Sequence, residues 1–282
     1  MINEPLYPVY LPTRPNGFQP TLDVPYFEAE EPGKRADKSM PSIFKAGAKV
    51  ENITPRIGTE IRGLQLSQLS KSGLDEVALL AAGDQDFVDI GFERQKEIVR
   101  HYGPLHQTFT PNTPSTTFFS VLEQPASGGG DTAFTSLTAA YAALSPAFRS
   151  TLHGLRLLHT SASVGEIARV GTERALKEAV STTHPLVIRH PVTGQPSLFV
   201  NPTIARRVEG FLPEESEALL SFLHGHIRSL DFSCRVRWEK GPVVVWDQRS
   251  IAHSAVPDFE DGERRHMMRV IPYGARPEPA FP

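Results

Sequence analysis

The chain has 282 residues, 39% of them hydrophobic, and a formal net charge of −3. That length suits one large core with small appendages. The near-balanced charge gives no electrostatic reason to expect a nucleic acid or an anionic membrane as partner. The one cysteine, Cys234, excludes a disulfide framework and a cysteine-based zinc cluster. No stretch reaches the roughly 20 apolar residues of a membrane-spanning helix. The opening "MINEPLYPVYLPTRPNGFQP" has no apolar run of signal-peptide length, so a soluble cytoplasmic chain is the expectation.

Residues 1–45 are rich in Pro, Gly and charge, with scattered aromatics at Tyr7, Tyr10, Phe18, Tyr26 and Phe27. This composition predicts an extended arm over the surface, not a domain. "AGAKVENITPRIGTEIRGLQLSQLS" alternates apolar and polar residues and predicts short strands and a turn. "KSGLDEVALLAAG" starts an amphipathic helix. "GFERQKEIVRHYG" reads as a second, with Phe92, Ile98 and Val99 on one face and Gly103 as its stop. "TPSTTFFSVLEQPASGGGDTAFTS" predicts a strand, a Gly-rich turn and another strand. Two short helices follow, the second capped by Ser145 with Pro146 at its first position. "HPLVIRHPVTGQPSLFVN" is a hairpin turning between Pro191 and Pro196. A capped amphipathic helix, "PEESEALLSFLHGHIRSL", precedes two strands around Lys240 and Gly241 and a last strand in "RRHMMRVIPYG". Short strands with helices outside, in no βαβ rhythm, predict a mainly β sandwich or barrel with helical decoration.

The richest chemistry lies in "WDQRSIAHSAVPDFEDGERRHMMRV". Val243 to Trp246 reads as a buried strand, Asp247 and Arg249 turn the chain, and His253 follows on the far side of the turn. Arg265 and Arg269 are four apart, so on a strand they share a face. Two guanidiniums inside a barrel are costly without anionic partners. Carboxylates match the Arg fork.

This stretch resembles the C-terminal signature of the taurine dioxygenase (TauD/TfdA) family of Fe(II)/2-oxoglutarate-dependent oxygenases, closest to its fungal sulfonate-dioxygenase-like branch. "GGGDTAF" at 128–134 is similar to that family's Gly-Gly-Asp-Thr turn. "DQDFVDIGFERQKEIVRHYGPLH" resembles its N-terminal helix region and "THPLVIRHPVTGQPSLFVN" its central hairpin. The resemblance implies a double-stranded β-helix (jelly roll) over 46–276, with 1–45 as arm and 277–282 as tail. It implies His253 as an iron ligand, Thr132 and Arg265 on the distal carboxylate of 2-oxoglutarate, and Arg269 facing a small anionic substrate, a sulfonate or carboxylate.

The family's other two iron ligands come from a His-x-Asp motif. None of the ten histidines here is followed two residues later by Asp or Glu. "HYGPLHQ" resembles the stretch before the family's active-site loop, and "TFTPNTPSTTFF" the stretch just after His-x-Asp. Here they abut at Gln107–Thr108. Counting back from Thr108 puts Pro104 and His106 where the resemblance implies His and Asp, and His106 is the one nearby substitute ligand. A second apparent deletion falls near 82–83, where "GDQD" follows the helix in place of a buried apolar strand. The jelly roll is therefore expected to be incomplete. The activity implied is a dioxygenase that this chain performs weakly or not at all. The alternative is a non-catalytic jelly-roll module that binds a small carboxylate or a protein.

Overall fold

The computed structural model describes residues 28–44, 48–83, 86–87, 112–161, 180–239, 242–260 and 262–281. In chain order these form α1 (Pro32–Arg35), β1 (Lys49–Asn52), β2 (Thr59–Arg62), α2 (Lys71–Gly83), β3 (Asp86–Phe87), β4 (Thr116–Glu123), β5 (Thr132–Ser136), α3 (Leu137–Ala143) and α4 (Pro146–Thr151). The second half adds β6 (Arg156–Thr160), β7 (Ser181–Pro185), β8 (Val187–Arg189), β9 (Pro196–Leu198), β10 (Ala205–Val208), α5 (Pro213–His226), β11 (Ser233–Val236), β12 (Val243–Asp247), β13 (Ile251–Ala255), β14 (His266–Val270) and β15 (Glu278–Pro279). The helices start where local chemistry starts them. The Ser136 hydroxyl accepts from Ala139 N for α3, and the Ser145 hydroxyl from Phe148 N for α4. Pro213 opens α5, and the Glu215 carboxylate takes the Leu212 N–H at 2.9 Å. Among the described residues no helix is long and apolar enough to cross a membrane.

All sheet pairings are antiparallel. One sheet has the order β14–β4–β12–β3, and a second has the order β11–β5–β13. Their inner faces share one core: Phe119, Val121, Val244 and Trp246 from the first meet Phe134, Cys234, Val236 and Ile251 from the second. The opposite face of the first sheet, through Phe118, Val243 and Val245, packs on Leu74, Val77 and Ala81 of α2. Strand alternation thus sends Val243 and Val245 one way and Val244 and Trp246 the other. This is why β12 reads as an unbroken apolar run: both its faces are covered. A third core gathers α3, α5 and the sheets β10–β6–β7 and β15–β8–β9. The result is mainly β with helical decoration, two facing sheets in a jelly-roll arrangement.

Two expectations from the sequence need correction. The segment from Glu31 to Ile43 is not a surface arm: Glu31, Pro32, Gly33 and Ile43 are buried, and α1 packs against α2. The tail likewise joins the fold, since β15 pairs with β8 and Ala280 is buried. Composition hid both, because Pro and charge read as solvent-facing when their partners are far along the chain. The expected helix at 91–103, His106 and the junction at 107–108 lie outside the described residues.

The arm enters through charge. Arg249 is buried at the turn between β12 and β13. Its Nε and Nη2 bind Asp247 at 2.9 and 2.6 Å, and its Nη1 and Nη2 bind Glu31 at 2.6 and 3.0 Å. Glu31 Oε1 also accepts from Ala275 N at 2.9 Å. Burial alone would raise the Asp247 carboxyl, but the charge of Arg249 beside it outweighs burial and holds it well below the usual carboxylate range. His190 Nδ1 faces the Val192 and Thr193 N–H groups, both at 3.3 Å, which assigns its ring proton to Nε2. That Nε2 stands 3.2 Å from Asp247 in a contact too poorly aligned for a hydrogen bond. At Gly274 an added Cβ would meet Ser115 Cβ at 2.7 Å and Arg249 Nη1 at 2.9 Å, so only glycine lets the chain pass here.

Arg249→Met strands two carboxylates in the interior and is expected to cost about 3–5 kcal/mol. Urea denaturation measures this, and a loss below about 1 kcal/mol would contradict the network's role. His159 and His184 give a pH signature. Burial lowers their pKa from 6.5 to about 4 and about 3. Below pH 6.5 the unfolded chain takes up protons that the folded state refuses. Stability therefore falls as the pH drops from 6.5 towards 3, by up to about 1.4 kcal/mol per pH unit per group. Asp247 adds to this only below its ordinary 3.8. Chemical denaturation across pH 4–7 should show the slope, and His184→Leu should flatten it.

Candidate functional site: a cationic mouth between the two sheets

β5 and β13 place Thr132 and His253 on one inner face. Register pairs His253 with Phe134 and Ala255 with Thr132, and residues directly opposite or two apart point the same way. On the facing sheet Arg269 lies opposite Phe119 and Met267 opposite Val121, so both point inward. Arg265 lies before β14 and beyond a register shift at His266–Met267, so strand alternation does not place it as expected; its bond to Thr132 and its contact with the Met267 sulfur bring it to the same space. The fold thus brings His253, Thr132, Arg265 and Arg269 to one mouth.

Arg265 Nη2 donates to the Thr132 hydroxyl at 3.2 Å, and Trp238 Nε1 donates to the same oxygen at 3.0 Å. Both bonds use the oxygen as acceptor, which leaves the hydroxyl proton for a further acceptor. The Gly-rich turn makes room: at Gly130, where φ is +71°, an added Cβ would meet Arg265 Cδ at 2.9 Å. Asp258 accepts from Gly130 N at 2.8 Å and pairs with Arg235, which also binds Asp131 at 2.7 Å. Asp131 therefore braces the turn. Among the described residues, neither Arg265 nor Arg269 has a carboxylate within ion-pair distance. Desolvation lowers the pKa of both, with Asp131 opposing the shift at Arg265.

His253 is open to water yet walled by protein, with the Trp246 ring 4.8 Å away and the Phe134 ring 6.1 Å away. Desolvation, and then the charge of Arg269, make its imidazole harder to protonate than a free one. Beside it lies a hollow of about 80 Å³ lined by Leu137, His159, Phe199, Ile204 and Gln248 among others. Sequence reasoning missed Trp238, Arg235, Asp258 and His159. Only the tryptophan carried a signal, since a buried indole N–H needs a partner.

Iron does not fit the described residues. Among them no three His, Cys, Asp or Glu side chains come together, and His253 has aromatic rings and a cation as neighbours. A dicarboxylate does fit, because two inward arginines and a hydroxyl face the mouth without counter-charge.

The class of this jelly roll is shown by comparison with known proteins. Residues 94–271 match the model of the taurine catabolism dioxygenase TauD, TfdA family. The chain is 40% identical to an alpha-ketoglutarate-dependent dioxygenase of Penicillium expansum, over 98% of this chain and 88% of that one. It is 33% identical to an alpha-ketoglutarate-dependent sulfonate dioxygenase of Saccharomyces cerevisiae, over 96% and 78%. A taurine dioxygenase from Burkholderia xenovorans superposes with a TM-score of 0.69 at 27% identity, covering 82% of this chain and 91% of that structure. The chain belongs to the TauD/TfdA family of dioxygenases. Its length falls short, however. The Penicillium alignment runs over 328 positions, whereas 98% of 282 residues is about 276, so about fifty aligned positions have no residue here.

Thr132→Val removes the acceptor of the Trp238 N–H and is expected to cost about 1–3 kcal/mol. Thermal or urea melts of wild type and variant measure it, and equal stability would mean that the indole has another partner.

Proposed function

We propose that this chain keeps the carboxylate-holding half of a 2-oxoglutarate dioxygenase site and lacks the iron-holding half. It binds a small dicarboxylate and turns over little or none. The observation that carries this reading is Arg265, bonded to a Thr132 hydroxyl that Trp238 orients, with no carboxylate partner among the described residues. In this reading Arg265 and Thr132 hold the distal carboxylate of 2-oxoglutarate. Arg269 faces the acidic group of a small substrate, a sulfonate or carboxylate. His253 stands where one Fe(II) ligand belongs. When bound beside iron, 2-oxoglutarate supplies the electrons for oxygen activation.

Three observations support the loss of the other half. No His-x-Asp or His-x-Glu occurs in the sequence, and about fifty aligned positions are missing. Trp246 Nε1 and His159 Nε2, both beside the mouth, are buried without a hydrogen-bond partner among the described residues. Buried orphans of this kind call for an explanation, and partners lost with a deleted segment at 107–108 supply one. A second reading, an active dioxygenase, draws on the 40% identity to the Penicillium relative. It needs ligands from 88–111, where His101 and His106 lie.

Anaerobic titration with 2-oxoglutarate, with and without Fe(II), separates the two readings. The expected result is binding that does not depend on iron, no metal-to-ligand charge-transfer band, and affinity reduced about 10–100-fold in Arg265→Ala. A charge-transfer band abolished by His253→Ala, together with succinate formation in air, would establish the active enzyme instead.

A further inference from the structure

A second cationic hollow lies between β10 and α5. It measures about 780 Å³ and is lined by Arg206, Arg207, Arg228, His224, Glu217 and Leu220 among others. On a chain of net charge −3, three arginines and a histidine around one hollow form a concentrated positive patch. Glu217 is the one acid lining it. Arg206 is braced by the carbonyls of Pro202, Thr203 and Ala205, at 3.1, 2.5 and 3.0 Å. Arg207 and Arg228 are exposed, and among the described residues neither makes a side-chain hydrogen bond or ion pair. His224 lines the hollow, and its buried Nε2 has no hydrogen-bond partner among the described residues. Desolvation, and then the charges of Arg228 and Arg206, pull its pKa below the ordinary value.

The geometry points to a binding site for a tetrahedral oxyanion, a phosphate or sulfate group carried by a small molecule, separate from the mouth at His253. Arg207 and Arg228, exposed and without a side-chain partner among the described residues, present their N–H groups at the hollow, and phosphate and sulfate oxygens accept several such donors at once. The volume falls within the range of small-molecule sites. Pro202, Ala205, Pro213 and Leu220 offer an apolar wall for the body that carries the anion. The hollow lies on different elements from the cationic mouth, so the inference stands whether or not the chain binds 2-oxoglutarate.

Calorimetric titration of the full chain with inorganic phosphate, and separately with inorganic sulfate, at low ionic strength tests the site. The expected result is saturable binding that weakens about tenfold in Arg207→Ala and in Arg228→Ala and disappears in the double variant. Arg265→Ala should leave it unchanged. Tighter phosphate binding would assign the group to a phosphorylated ligand, and equal or tighter sulfate binding to a sulfate ester. The imidazole of His224, followed by proton NMR and assigned with His224→Asn, should titrate at higher pH when sulfate is bound. This follows because the bound anion offsets the charges of Arg228 and Arg206 that lower the imidazole, in the same sense in which Glu217 acts with or without the anion. No saturable binding below about 10 mM, binding retained in the double variant, or binding lost in Arg265→Ala would overturn the site.

Discussion

The Asp247–Arg249–Glu31 cluster holds together parts of the chain that share no sheet. Arg249 sits at the turn after β12, the strand buried on both faces, and before β13, the strand that carries His253. Its two carboxylates come from its own turn and from a residue 218 positions away. Through Ala275 N the same Glu31 fixes the return of the C-terminal chain. A guanidinium so buried is tolerable only with both anions present, because the desolvation of each charge is offset by the others. The cost of breaking the set is what locks the arm, the turn and the tail into one arrangement. The direction in which β13 presents His253 follows from that arrangement.

The mouth itself runs on unbalanced charge. Arg265 and Arg269 point inward, while the nearest acids are engaged elsewhere: Asp131 and Asp258 by Arg235, Asp247 by Arg249. A pocket in this state attracts carboxylates and repels metal cations. In a complete member of the family, a carboxylate ligand would reverse that balance at His253. Among the described residues, desolvation and then the charge of Arg269 make the His253 imidazole a poorer proton acceptor.

The relation to the family has two sides. Similarity extends over nearly the whole chain, and the jelly-roll sheets superpose on solved members of the family. About fifty aligned positions have no counterpart. A jelly roll can absorb such a difference where the strands of the sandwich remain paired, and β4 pairs with β12 without interruption and with β14 across one register shift at His266–Met267.

Local pattern made much of this legible. The helix at Lys71–Gly83, the hairpin around Pro191–Pro196, the caps at Ser145 and Pro213 and the Gly-rich turn before Thr132 all depend on neighbours within a few residues. The motif residues Thr132, His253, Arg265 and Arg269 could be named from the sequence, and so could the absence of His-x-Asp. Glu31 could not, since nothing near "EAEEPGKR" distinguishes the one glutamate that enters the core from its exposed neighbours. Trp238 could not be assigned to Thr132, nor Arg235 to Asp131, because each pair joins strands more than a hundred residues apart. The sequence by itself determined many of the elements and the family resemblance, since these are written in local spacing and residue type. Only the tertiary structure decided which charges are compensated and which stand open. Charge pairing depends on distance in space, and the antiparallel registers of the two sheets set that distance.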